Sequence, residues 1–227
     1  MKAPAPKPGA AIPLRLNKAH YPVTVLGYGR RIGLWFQGCG IRCPACVSQD
    51  TWEADGGAAV SVAELLDWCR QKAEENVDGV DGVTLSGGEP FDQPRALGAL
   101  LDGIARWRKR AGLTLDVLCY SGYPLKTLQA KHGALLQKLD ALIPEPYVDS
   151  LPEGGLWWGS ANQSLMPLSP LGKQRYGAPV DNAKTLQIAV EDGRIWMIGI
   201  PARGDMAALE HLCAGRGLRL DQVSWRR

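Results

Sequence analysis

The spacing of apolar residues changes period several times along the chain, and each change marks an element. Val23 to Phe36 alternates loosely and is rich in Val, Leu, Ile and aromatics, with Gly27-Tyr28-Gly29 as a turn. This predicts strand, turn, strand, ending at a loop that holds three cysteines. Ser61-Val-Ala-Glu64 has the form of a capping box, and Val62, Leu65, Leu66 and Cys69 follow at the spacing of one helical face. Gly82–Ser86 predicts a short strand running into Gly87-Gly88. Asp92 and Pro94 open a helix with Leu97, Leu100, Leu101, Ile104 and Trp107 on its buried side, and Gly112 stops it. Leu113–Tyr120 reads as a third strand, Pro124–Leu139 as a helix and Ala141–Ile143 as a strand. Strands alternating with helices from about 30 to 143 predict an α/β fold with a parallel sheet of βα units. In such sheets ligands bind beyond the carboxyl ends of the strands.

From Pro144 to about Lys184 the periodicity fades. The stretch holds six prolines yet includes Leu156-Trp-Trp-Gly-Ser-Ala-Asn-Gln163, too apolar and aromatic for a disordered linker. A span of that length without regular elements is usually functional. Thr185–Val190, Asp192-Gly193 and Arg194–Ile200 then give a hairpin signal, and Asp205–Gly215 a helix.

Composition narrows the class. The 227 residues, 45% hydrophobic, suffice for one sizeable core. A net charge of +3 gives no argument for nucleic acid. The Pro-rich start, MKAPAPKPGAAIP, lacks a signal-peptide apolar core, and no apolar run approaches the roughly 20 residues of a membrane span. Residues 1–20 are therefore expected to form a flexible arm, and the protein to be cytoplasmic, with neither nucleic acid nor membrane as partner.

Three of the six cysteines fall in Cys39-Gly-Ile-Arg-Cys43-Pro-Ala-Cys46. Thiolates are soft ligands that suit iron–sulfur clusters, zinc or copper(I). Three ligands to a four-iron cluster leave one iron open. A structural zinc site would need a fourth ligand, with only the distant Cys69 or Cys119 to supply it.

Placed after the first strand, this Cys-x3-Cys-x2-Cys loop resembles the signature of the radical S-adenosylmethionine superfamily. More narrowly, Gly38-Cys39 through Cys43-Pro-Ala-Cys46 to Thr51-Trp52 is similar to the activating enzymes of anaerobic ribonucleotide reductase. The resemblance implies a partial (β/α) TIM-like barrel over residues 21–170. It implies a [4Fe–4S] cluster on Cys39, Cys43 and Cys46, and reductive cleavage of S-adenosylmethionine to a 5′-deoxyadenosyl radical. Ser86-Gly87-Gly88-Glu89-Pro90 matches the segment that binds the methionine amino group, so Gly87, Gly88, Glu89 and Pro90 are carried over to that role. Taken alone, those residues would pass for any turn. Cys119-Tyr120-Ser121-Gly-Tyr123 resembles the family's Trp/Tyr-Ser-Gly-Tyr segment, which puts Tyr120 and Ser121 near the ribose; the plain alternative is a cap before the next helix. Gly159-Ser-Ala-Asn-Gln163 is similar to a late family segment. The chain departs from the pattern at Ile143-Pro-Glu145, where family members tend to show Val-Asp-Gly. Arg30 and Arg31 match a Gly-Pro-Gly-x-Arg-like stretch and face either the cofactor carboxylate, a reductant protein or solvent.

The resemblance further implies a one-electron donor such as flavodoxin or ferredoxin, and a large protein whose glycine loses a hydrogen atom at the barrel's open side. A radical enzyme acting on a peptide or small molecule, and a non-catalytic iron–sulfur or zinc module, are the rival readings. Residues 171–227 fall outside the resemblance and are expected to pack on the core as a hairpin-helix extension.

Overall fold

The computed structural model describes residues 11–178, 183–191, 194–220 and 223–226. Its centre is a seven-stranded sheet built from β1 (Pro13–Val23), β2 (Arg31–Phe36), β3 (Ala58–Ser61), β4 (Gly82–Gly87), β5 (Asp116–Tyr120), β6 (Ala141–Ile143) and β7 (Met166–Pro167). The spatial order is β3-β1-β2-β4-β5-β6-β7. Strands β2, β4, β5 and β6 run parallel, and β1, β3 and β7 pair antiparallel at the two sides. The α/β class and the parallel centre agree with the sequence pattern. Among the described residues the sheet is mixed and open, with β3 and β7 at its edges, and is not closed into a barrel.

Helices α1 (Val62–Glu74), α2 (Pro94–Arg110) and α3 (Leu125–Leu136) carry the crossovers. The capping box at Ser61 is formed in both directions, the Glu64 amide donating to the Ser61 hydroxyl and the Ser61 amide to the Glu64 carboxylate. Strand alternation sorts side chains onto two faces. Ile32, Leu34, Phe36, Val83, Leu85, Val117, Cys119 and Leu142 pack against α1–α3 in the main core. On the other face lie Arg31, Trp35, Thr84, Asp116, Leu118, Tyr120, Ala141 and Ile143. This inner face is covered by the chain's own later residues: Trp157 and Tyr176 pack on Leu118, Ala141 and Ile143, while Ile198 and Ile200 pack with Val23, Leu26 and Trp35.

Two expectations need correction. Residues 13–20, assigned to the flexible arm, belong to β1. Leu14 and Leu16 are buried while the exposed Pro13 and Arg15 alternate with them, and β1 is fixed by pairing to β2 on one side and β3 on the other. Those partners are distant in sequence, so local composition conceals the strand. Residues 1–10 of the arm lie outside the described residues. The segment from 144 to 184 is not without structure either: β7 and α4 (Pro170–Tyr176) lie within it. The tail forms β8 (Gln187–Glu191), β9 (Arg194–Ile198) and α5 (Asp205–Gly215) as expected; the Asp192-Gly193 turn lies outside the described residues. Among the described residues no helix is long and apolar enough to cross a membrane.

The N-terminal ends of the parallel strands hold a buried ion pair. Arg31 stands beside Gly82 in the β2–β4 register, and Gly82 beside Asp116 in the β4–β5 register. Arg31 therefore reaches Asp116 across β4, with Nη2 2.8 Å and Nη1 3.0 Å from the two carboxylate oxygens. The path exists because position 82 has no side chain: a Cβ there would lie 2.6 Å from Cζ of Arg31. Arg175 of α4 also pairs with Asp116, and the Tyr176 hydroxyl donates to it at 2.8 Å. Arg31 is thus fully buried with its guanidinium turned to Asp116, so of the three readings offered for it the solvent one and the reductant one do not hold, and its charge is taken up by Asp116 in place of a cofactor carboxylate. Its neighbour Arg30 is on the surface, paired with Asp78 at 2.6 Å.

Candidate active site

The cysteine loop leaves the C-terminal end of β2 and is fastened at both limbs. The Gly38 amide donates to the Thr51 carbonyl at 2.7 Å and the Cys39 amide to the Trp52 carbonyl at 3.0 Å. Gln37 Nε2 donates to the carbonyls of Asp50 and Glu53. Between these ties, Arg42 and Ala45 adopt left-handed backbone with φ of 51° and 59°, conformations that turn the loop sharply around its three cysteines.

Burial pushes the Cys39, Cys43 and Cys46 thiols above their ordinary range, so a bound metal must displace their protons. Each sulfur is nevertheless met by N–H groups that stabilise a thiolate. The Ile41 and Arg42 amides face Cys39, the Tyr147 amide faces Cys43, and the Ser48 amide and Trp52 indole face Cys46. Hydrogen bonds to sulfur are a standard means of tuning iron–sulfur centres. Among the described residues no group of three or more His, Cys, Asp or Glu is gathered as a single-ion site. Three half-buried thiols ringed by N–H donors, on a loop without a fourth protein ligand, fit a larger cluster better than a closed zinc site.

The Gly87–Pro90 segment docks on the root of that loop. The Gly88 amide donates to the Phe36 carbonyl and the Glu89 amide to the Gly38 carbonyl, both at 2.8 Å. Gly87 has φ of 97°, and a Cβ on it would fall 2.6 Å from the Phe36 backbone; a Cβ on Gly88 would overlap the Gly38 carbonyl. The glycines allow close backbone approach, and the backbone approached is the end of β2 and the root of the cysteine loop. Pro90 opens a 3-10 turn over Pro90–Asp92, and Asp92 accepts from the Gly40 amide at 3.2 Å.

Glu89 is completely buried and turns its carboxylate inward. It accepts from the Phe91 amide at 2.9 Å, the Gly122 amide at 2.8 Å and the Ser121 hydroxyl at 3.0 Å. Burial pushes its carboxyl up to about 7 against those donors, and no cation is among its described partners. Ser121, the residue carried over to the ribose, donates to Glu89 and accepts from the Tyr123 amide. Tyr120 has the opposite disposition: its hydroxyl donates to the Trp157 carbonyl at 2.8 Å and its ring borders a cavity.

That cavity, about 380 Å³, runs beside the descending limb of the cysteine loop at Ala45–Val47. Tyr120, Tyr147 and Trp158 line one side and Ile200–Gly204 with Met206 the other. Cys46 is among its lining residues, whereas Cys39, Glu89 and Ser121 are not, and Ile41 lies against Gly122. The Gly159–Gln163 segment contributes Gly159 and Gln163 to the wall and also braces the turn beside it. Gln163 bonds the Gly159 amide and the Glu145 carbonyl, and Asn162 and Ser160 bond Pro146 and Val148. These ties hold the turn that presents the Tyr147 amide to Cys43. Glu145, at φ 81°, supplies the left-handed turn that a glycine favours and caps α3 by accepting from the Leu125 amide. This accounts for the departure at Ile143-Pro-Glu145.

The roles of Tyr147, Trp52 and Asp92 were not found from the sequence. Trp52 sat inside the recognised motif, but nothing local marks the amide of Tyr147 as a sulfur partner.

Comparison with known proteins identifies the family. The family described as a 4Fe-4S single cluster domain matches residues 25–166. An anaerobic ribonucleoside-triphosphate reductase-activating protein of Escherichia coli (strain K12) is 29% identical over 146 residues, 63% of this chain and 93% of the relative. A protein of the same description from Enterobacteria phage T4 is 29% identical over 64% of this chain and 89% of its own length. The pyruvate formate-lyase-activating enzyme of Clostridium pasteurianum is 44% identical over 84 residues, 37% of this chain and 35% of that protein. In a solved structure, QueE from Escherichia coli, the likeness spans 48% of this chain and 53% of the other, at a TM-score of 0.36 and 16% identity, too loose to bear on the fold. The chain belongs to the 4Fe-4S single cluster domain family, among the activating enzymes of the radical S-adenosylmethionine class. It is an enzyme whose cofactors are a [4Fe–4S] cluster and S-adenosylmethionine.

Proposed function

We propose that Cys39, Cys43 and Cys46 hold three irons of the cluster, and that the chain serves hydrogen-atom abstraction from a glycine of a large partner protein. When bound, the cluster supplies the electron that cleaves S-adenosylmethionine to methionine and a 5′-deoxyadenosyl radical. The observation that carries the reading is the juxtaposition of an N–H-lined three-cysteine loop with Glu89, a buried carboxylate lacking a cation. A passive cluster site has no use for such a charge.

In this reading the chain's residues divide the work. Gly87 and Gly88 fix the distance between the loop and the end of β4. Glu89 supplies negative charge toward the methionine ammonium, and Ser121 and Gly122 hold that carboxylate in place. Tyr120 and Trp158 give the cavity apolar surface that keeps water from a reactive radical. A flavodoxin or ferredoxin acts as the electron donor.

One observation favours the second reading, a peptide or small-molecule substrate. The inner face of the sheet, expected to stand open for a large partner, is covered by Trp157, Tyr176, Ile198 and Ile200 of the same chain. What reaches the cavity must fit about 380 Å³ beside Cys46, as a small molecule or one inserted loop. Anaerobic incubation with dithionite and S-adenosylmethionine, with and without an anaerobic ribonucleotide reductase, separates the two. A glycyl radical in the reductase by electron paramagnetic resonance supports the partner reading. Release of 5′-deoxyadenosine with no radical on the large chain favours the second.

A further inference from the structure

We infer that residues 223–226 form a clasp that orients the peptide group donating to the Cys46 sulfur, so that Ser224 is a positioning residue for the site. This rests on Cys46 being a cluster ligand. The Ser48 amide lies 3.4 Å from Sγ of Cys46. The carbonyl of that same planar peptide belongs to Val47, and it accepts from the Ser224 hydroxyl at 2.7 Å. Because a peptide group is rigid, gripping its carbonyl sets the direction of its N–H. The next residue is held too: the Gln49 amide donates to the Ser224 carbonyl at 2.7 Å and Gln49 Nε2 to the Trp225 carbonyl at 3.0 Å.

The clasp is itself anchored. The Trp225 indole donates to Glu210 of α5 at 2.6 Å, and Arg226 pairs with Glu210 at 3.2 Å. The same helix lines the cavity with Met206 and Ala207, opposite Ala45–Val47. The Thr51 amide and hydroxyl both donate to the Ser48 carbonyl and so fix the following peptide, whereas the Val47 carbonyl is gripped by Ser224. All of the clasp lies beyond residue 166, where the family match stops. The extension is thus joined to the cofactor site as well as to the fold.

An N–H aimed at a ligand sulfur stabilises the extra negative charge of a reduced cluster, so it raises the reduction potential. Ser224→Ala removes the grip on the Val47 carbonyl, and Ser224→Thr keeps the hydroxyl. In the apoprotein, amide exchange of residues 46–49 is expected to be roughly fivefold to tenfold faster in Ser224→Ala, the value of one hydrogen bond, and unchanged in Ser224→Thr. After anaerobic reconstitution, Ser224→Ala is expected to hold the iron and sulfide of the wild type at a more negative midpoint potential, again restored by Thr. Wild-type exchange and wild-type potential in Ser224→Ala would overturn the proposal. Failure of the wild-type protein to take up a cluster would instead refute the ligand reading, while the exchange measurement would still decide whether the clasp holds the loop.

Discussion

The two ends of the parallel strands each bury a carboxylate, and their surroundings are opposite. At the N-terminal ends Asp116 meets two guanidinium groups and a phenol. Burial alone would raise its carboxyl, but Arg31 and Arg175 hold it below the usual range. At the C-terminal ends Glu89 meets only amides and a hydroxyl, and burial pushes it up to about 7. The first arrangement is electrically closed and serves the fold. The second is a buried carboxylate with no counter-charge among the described residues, the feature on which the proposed contact with the cofactor ammonium rests.

The comparison breaks most readily at Asp116. Asp116→Asn leaves Arg31 buried without its counter-charge, a loss of about 3–5 kcal/mol expected in chemical denaturation of the apoprotein. A much smaller loss would mean that the network contributes little to stability. Gly88→Ala is expected to cost about 1–3 kcal/mol, because its Cβ overlaps the Gly38 carbonyl. It is also expected to lower iron uptake by displacing the loop root, measured as iron per chain.

The pH dependence sharpens the contrast because the two signs differ. Asp116 has a depressed value, so its contribution is present above the ordinary carboxylate range and is lost as pH falls through the depressed value. Glu89 has a raised value, so its contribution is fullest below 4.5 and is lost as pH rises through about 7. Apoprotein stability is expected to drop by about 3 kcal/mol from this group between pH 4.5 and pH 8, and Glu89→Gln is expected to abolish that slope. The smallest effect belongs to Arg30→Ala, no more than about 1 kcal/mol for an exposed pair, one residue from the buried Arg31.

Arg30 and Arg31 also show where sequence reading stops. Both are arginines beside a Gly-Tyr-Gly turn, and only strand register reveals that one crosses Gly82 to Asp116. Elements governed by local signals were legible: the Ser61 capping box, the Asp205–Gly215 helix and the central strands. The cysteine spacing and the Gly87–Glu89 segment were legible as one candidate region, and the fold docks the two on each other. What was hidden depended on distant partners. β1 needs β2 and β3 to be a strand, the Tyr147 amide needs Gln163 to reach Cys43, and the coverage of the inner face needs Ile198 and Ile200. The bond from Ser121 to Glu89 was not legible, since a motif specifies a position and leaves side-chain direction to packing.

The most direct test of the account measures 5′-deoxyadenosine formed per folded chain under anaerobic reduction, for reconstituted wild type, Cys43→Ala and Asp116→Asn. The account predicts product from the wild type, none from Cys43→Ala, and near wild-type yield from the folded fraction of Asp116→Asn. Product from Cys43→Ala, or none from a wild type that holds its iron, would contradict it.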